Sequence, residues 1–187
     1  MMIRKKAVLG ALVLLLGVST PSFAKQNHAI KVGFGLTEGP TVGYEYLLAK
    51  KHGLHVSYGG ISGLSFTNGL SKQKVDFGGL GLGYRYYFSG KKEFGGFYTG
   101  LGLLFKSLTI TETLAGIETG EAEADITIPY AELGYRLKFK SVLIGLYAGF
   151  GSAEADFKFT GGLTDDELEF GKSAGWALIG LDIGFAF

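Results

Sequence analysis

The sequence predicts an all-β chain that closes into an eight-stranded, antiparallel, up-and-down transmembrane β-barrel. Three observations predict it: period-two alternation recurring along the chain, glycine and aromatic enrichment with almost no proline, and no long apolar run after Val18. A membrane chain without such a run must cross as a closed barrel, because lipid satisfies no open sheet edge. The 187 residues suit one domain.

Residues 1–24 are set apart as a cleavable signal peptide, leaving 25–187 as the barrel. Arg4, Lys5 and Lys6 form a positive start, and Ala7 to Val18 is an apolar stretch too short to span a bilayer as a helix. Ser19, Thr20 and Pro21 break it, and Ser22-Phe23-Ala24 supplies the small residues of a cleavage site. The formal net charge of +1 includes those three basic residues, so the barrel itself is weakly acidic, which excludes a nucleic-acid footprint. With no cysteine the exported chain has neither a disulfide nor a thiol for lipidation.

The strands follow in order. Ile30, Val32, Phe34 and Leu36 alternate with Lys31, Gly33 and Gly35; after Glu38-Gly39-Pro40, Val42, Tyr44, Tyr46 and Leu48 alternate with Gly43 and Glu45. Leu54, Val56 and Tyr58 oppose His55 and Ser57, and Leu80, Leu82, Tyr84, Tyr86 and Phe88 oppose Gly81, Gly83 and Arg85. Phe97, Thr99, Leu101, Leu103 and Phe105 face away from Gly100, Gly102 and Lys106. Ala131, Leu133, Tyr135, Leu137 and Phe139 face away from Glu132, Gly134 and Arg136. Val142 to Phe150 and Ala177 to Phe187 complete the set, with Tyr147 and Asp182 on the opposite parity.

A soluble barrel would also alternate, with its apolar set inward and charges outward. Here the polar set is mostly glycine with scattered charges, a poor solvent face but a good lining for a narrow lumen. The apolar set is continuous and rich in aromatic residues, as a lipid-facing band should be. With the N-terminus periplasmic, the connections Ala49–Gly53, Ser89–Glu93 and Lys140-Ser141 are short. Those at 60–74, 107–125 and 152–172 are longer and outside.

The inward positions carry Lys31, Arg85, Lys106 and Arg136 against Glu45, Glu132 and Asp182, with His55 beside them. In a narrow lumen these charges pair into a plug, since an unpaired buried charge is costly. That leaves a narrow channel for small or apolar solutes as a third-ranked function. Trp176 has inward parity near the outer interface. On two adjoining strands, Glu123 and Asp125 are echoed by Glu154 and Asp156, and pairing is expected to set Asp125 opposite Glu154 and Glu123 opposite Asp156. Such like-charged pairs repel and would be relieved by Ca²⁺ or Mg²⁺, possible cofactors at this rim in a chain otherwise expected to have none. Asp165, Asp166, Glu167 and Glu169 add to an acidic exposed face.

The last strand, with Ile179, Leu181, Ile183 and Phe185 alternating back from terminal Phe187, resembles the assembly signal of Gram-negative outer-membrane β-barrels. Gly81-Leu82-Gly83-Tyr84-Arg85-Tyr86-Tyr87-Phe88 is similar to a strand of the small-barrel, porin-like superfamily. The resemblance implies outer-membrane localisation, contact with outer-membrane lipid and lipopolysaccharide, and insertion by the barrel-assembly machinery. A monomer is the default. His55-Val56-Ser57 also resembles the His-x-Ser pair of lipid A deacylase barrels, implying serine as nucleophile and histidine as base. Tyr58 stands where that family has asparagine, however, and no acidic residue follows before Gln73 in the adjoining connection. The expected function is therefore a non-enzymatic surface protein with structural, adhesion or other interaction roles; a lipid A-modifying acyl hydrolase is the alternative.

Overall fold

The computed structural model describes residues 26–69, 71–89, 93–114, 117–161 and 173–187. The expected signal peptide and the acidic run from Asp165 to Glu169 lie outside them. The eight strands are β1 (His28–Gly35), β2 (Gly39–Ala49), β3 (His52–Asn68), β4 (Ser71–Tyr87), β5 (Gly96–Leu114), β6 (Ile117–Phe139), β7 (Val142–Gly161) and β8 (Ser173–Ala186). Each pairs antiparallel with the next, and β8 returns to β1, closing the barrel. The seam is tied at its end by two backbone bonds: His28 N–H donates to Phe187 O at 3.1 Å and Phe187 N–H to His28 O at 2.8 Å. The terminal strand expected as an assembly signal is thus the strand that seals the ring.

The short turns after Ala49 and at Lys140-Ser141 fall where the sequence places them, but none of the longer connections stays a loop throughout: residues 152–161 belong to β7. The 60–74 and 107–125 stretches are mostly ladder, because Thr109-Ile110-Thr111 and its neighbours keep a β-branched alternation. Wall height is uneven: β1 and β2 meet at a turn after Gly35, whereas β3 to β7 run far beyond it.

The sense of the alternation reverses along these tall strands. Below, Phe97, Leu101, Leu103 and Phe105 of β5 are exposed outside, as are Leu133, Tyr135, Leu137 and Phe139 of β6. From Phe97 to Phe105 the belt runs about 27 Å along the strand, or about 21 Å in height at a tilt of ~40°, close to the apolar band of a bilayer-spanning barrel. Above Phe105 the outer positions become Ser107, Thr109 and Thr111, facing Asp125, Glu123 and Glu121 on β6. The inside there becomes apolar: Leu104, Ala124, Ile126, Ile128, Ala153 and Leu178 form one buried cluster, with Phe77, Leu108 and Trp176 against it. The apolar-out sense therefore holds only for the lower half.

The opposite end is also closed. Leu47, Tyr87, Phe94, Tyr98 and Leu143 pack with Ala29 and Ala186 into a second apolar cluster. Phe94 enters it from the β4–β5 turn, at φ 60, fully buried.

Candidate functional site: the barrel interior

Between the two apolar layers, glycines make room for large inward side chains. Tyr98 lies opposite Gly134, Tyr130 opposite Gly102, and Tyr147 opposite Gly180. At each of these glycines an added Cβ would overlap the facing tyrosine ring. His55 sits in the same way against Gly83. The abundance of glycine on the polar parity is thus a steric device: one strand contributes the ring and its neighbour the hole.

Six of the seven expected lumen charges meet in one network. Glu45, with none of its surface exposed, is the hub. Its Oε2 accepts from Lys31 Nζ at 2.6 Å, Arg85 Nη1 at 3.0 Å and Arg136 Nη1 at 3.2 Å. The Tyr87 hydroxyl donates to Oε1 and in turn accepts from Arg136 Nη1 at 2.5 Å. Arg85 forks onto Glu132, Nε to Oε1 at 2.6 Å and Nη2 to Oε2 at 3.2 Å. Arg136 Nη2 reaches Asp182 Oδ2 at 3.1 Å. The Tyr98 ring lies 4.8 Å from the Arg85 guanidinium carbon and 5.3 Å from that of Arg136, a cation–π bracket for both. Three cations and three carboxylates balance, which a buried cluster requires.

Lys106 is the seventh and stands apart. It is buried, but higher up the wall, with its ammonium 5.5 Å from the Phe77 ring. Its height on β5, well above Gly100 at the level of Glu132, separates it from the network. Its electrostatic counterpart is Glu38, a residue that the sequence marks only as part of a turn. Glu38 tucks inward from the β1–β2 turn and accepts from Tyr147 O–H at 2.8 Å. Tyr87, Tyr98 and Tyr130 are further interior residues that sequence reasoning missed, although each shares parity with a recognised inward neighbour.

His55 and Ser57 both line a polar cavity of about 50 Å³ above the network, together with Glu38, Tyr130 and Tyr147. That space suits a few waters, not an acyl chain. His55 Nε2 bonds the Tyr130 hydroxyl at 3.0 Å, while its Nδ1 has no partner. No hydrogen bond joins His55 to Ser57 among the described residues. A nucleophile needs a base within reach and room for its substrate, and here the pair is not bonded and the space between the lining side chains holds only a few waters.

The acidic rim is paired differently from the expectation. The two-residue turn at Lys140 (φ 55) and Ser141 fixes Phe139 opposite Val142. Carried up the ladder, that register sets Asp125 opposite Asp156, Glu123 opposite Lys158 and Glu154 opposite Thr127. The expected pairs Asp125–Glu154 and Glu123–Asp156 are therefore each displaced by two residues. Among the described residues no group of three or more acidic, histidine or cysteine side chains could hold a metal ion. The Asp156 side chain lies outside that description.

No protein-family model and no curated protein matches the sequence. Solved structures do match in shape. Acinetobacter baumannii CarO aligns with a TM-score of 0.53 at 13% identity, over 87% of this chain and 98% of that one. CarO2 of the same organism aligns at 0.51 and 13%, over 87% and 100%. The N-terminal β-barrel domain of Pseudomonas aeruginosa OprF aligns at 0.50 and 16%, over 87% and 98%. At these identities the likeness is one of fold. The chain has the fold of the small, eight-stranded bacterial outer-membrane β-barrels.

Proposed function

We propose that the chain is exported by its first 24 residues and resides in the outer membrane as a non-enzymatic barrel with a closed lumen. Its tall β3–β7 wall would stand outside the cell as an interaction surface. The reversal of the alternation above Phe105 carries this reading. An apolar exterior is stable only in lipid, and an apolar interior under a polar exterior is the arrangement of a barrel in water. One wall that has both, in sequence, fits a barrel that enters the bilayer and continues out of it. The likeness to the CarO and OprF barrels supports the same placement.

The layered interior argues against conduction. A solute would have to pass the Leu104–Leu178 cluster, the ion network and the Phe94 layer in turn. In planar bilayers the full chain is expected to show no steady conductance, and lipid A from cells with and without it should have the same mass. Steady single-channel steps would replace this reading with a channel. Loss of one acyl chain that disappears in His55→Ala would replace it with the hydrolase.

A further inference from the structure

On the side of the short turns, the exposed belt ends in an arrangement that occurs twice. His28 of β1 stands opposite Tyr46 of β2, and its Nδ1 bonds the Tyr44 hydroxyl at 2.5 Å. His52 of β3 stands opposite Tyr86 of β4, and its Nδ1 bonds the Tyr84 hydroxyl at 2.5 Å. Parity explains the repeat: each histidine opens its strand on the outward face, and the tyrosine two places along the neighbouring strand is its diagonal partner.

The two pairs differ in one respect. The Phe187 ring stacks on His28, with centroids 5.7 Å apart and planes at 20°, and His28 is half-buried. His52 is exposed, and among the described residues only its own two tyrosines lie against its ring. The same arrangement is thus capped at β1 and open at β3.

Charge gathers at the open pair. Lys50 and Lys51 form the turn that leads into His52; both are exposed, and neither has an ion-pair partner among the described residues. The Lys51 ammonium lies 5.9 Å from the centre of the Tyr86 ring, which holds it on the outer face. Glu93 is the one acidic side chain in the described turns at this end, and Lys138 engages it at 3.7 Å. With Nδ1 accepting from the Tyr84 hydroxyl, the ring hydrogen of His52 is on Nε2. The cluster therefore presents donors and positive charge, whereas a phosphodiester presents acceptors and negative charge. Directly above it on the outward parity lie Leu54, Leu82 and Leu101, all exposed.

We propose that this open pair seats the headgroup of an anionic phospholipid in the periplasmic leaflet. His52 Nε2–H, Lys50 and Lys51 hold the phosphodiester, and the acyl chains rise along Leu54, Leu82 and Leu101. The proposal rests on the outer-membrane reading above. Continuity with the leucines selects a lipid over a soluble anion. Two unpaired lysines select an anionic headgroup, because a zwitterionic one brings an ammonium of its own that they repel.

The test compares phospholipids directly. The chain is placed in nanodiscs of phosphatidylethanolamine and phosphatidylglycerol in equal parts, and the lipids it retains on release are read by native mass spectrometry. The unaltered chain is expected to retain phosphatidylglycerol in preference. Lys50→Gln with Lys51→Gln should lower that preference about tenfold or more, at about fivefold for each lysine near a charged lipid surface. His52→Phe keeps a ring between the tyrosines but removes the donor, and should lower it about fivefold. Lys140→Gln, at the turn between β6 and β7, removes a charge from the same end of the barrel and should leave the preference unchanged. The lysines are exposed and unpaired, so their variant keeps the fold; if His52→Phe fails to fold, the lysine variant decides. Equal retention of the two phospholipids, a preference that survives either folded variant, or an equal loss in Lys140→Gln overturns the seat. Displacement of the lipid by inorganic phosphate overturns it in favour of a soluble anion. A chain that does not insert into the bilayer at all overturns the membrane reading beneath it.

Discussion

Arg136→Ala is expected to destabilise the barrel by about 3–5 kcal/mol, the range for breaking a buried ion pair from one side. Arg136 is 1% exposed and bonds Glu45, Tyr87 and Asp182 at once. Without it, Asp182 loses its only ion-pair partner among the described residues, and the interior carries one excess negative charge. The substitution also removes a cation held against the Tyr87 and Tyr98 rings. Urea unfolding of the chain in detergent or liposomes measures the loss. A companion variant separates charge from packing. Arg136→Met with Asp182→Asn leaves Lys31 and Arg85 facing Glu45 and Glu132, which is again neutral, so most of the stability should return. If Arg136→Ala costs less than about 1 kcal/mol, the network is solvated and the lumen is wetter than its burial implies.

Much of this architecture is legible in the residues because period two is a strict rule. Once Leu82, Tyr84 and Tyr86 are placed outside, Arg85 must point inward, and that logic locates Glu45, Glu132, Arg136 and Asp182. The same rule locates Tyr87 and Tyr98, but an aromatic residue beside an apolar run reads as more of the belt. Glu38 is not legible: it sits in a turn, where parity says nothing, and only the closed barrel brings it over the lumen beside Tyr147. The reversal above Phe105 is hidden for a related reason. Ile126, Ile128 and Leu108 alternate as regularly as the belt does, and alternation alone does not say which face is wet. What distinguishes the halves is the chemistry of the opposite parity: glycine and aromatic neighbours below, serine, threonine and carboxylates above. The His55–Ser57 pair shows the limit in the other direction. Its residue types fit a catalytic pair, and its surroundings, a tyrosine partner and a cavity of about 50 Å³, do not.

The reversal also yields a sharp comparison between two substitutions on one strand. Leu101→Arg, at the middle of the β5 belt, is expected to cost about 2–4 kcal/mol when folding is measured in a bilayer, the penalty for an arginine on the lipid face near the midplane. Thr111→Arg, on the same outer face but above the belt, should cost less than about 1 kcal/mol. Leu101 is 64% exposed in the isolated barrel, so in water alone an arginine there would be nearly free of penalty. Lipid is what makes the two positions differ. Equal, small costs would mean that the belt does not lie in a bilayer, and the outer-membrane reading would fall. Equal, large costs would mean that the hydrocarbon reaches Thr111. The tall wall would then be buried in lipid and would not stand outside the cell as an interaction surface.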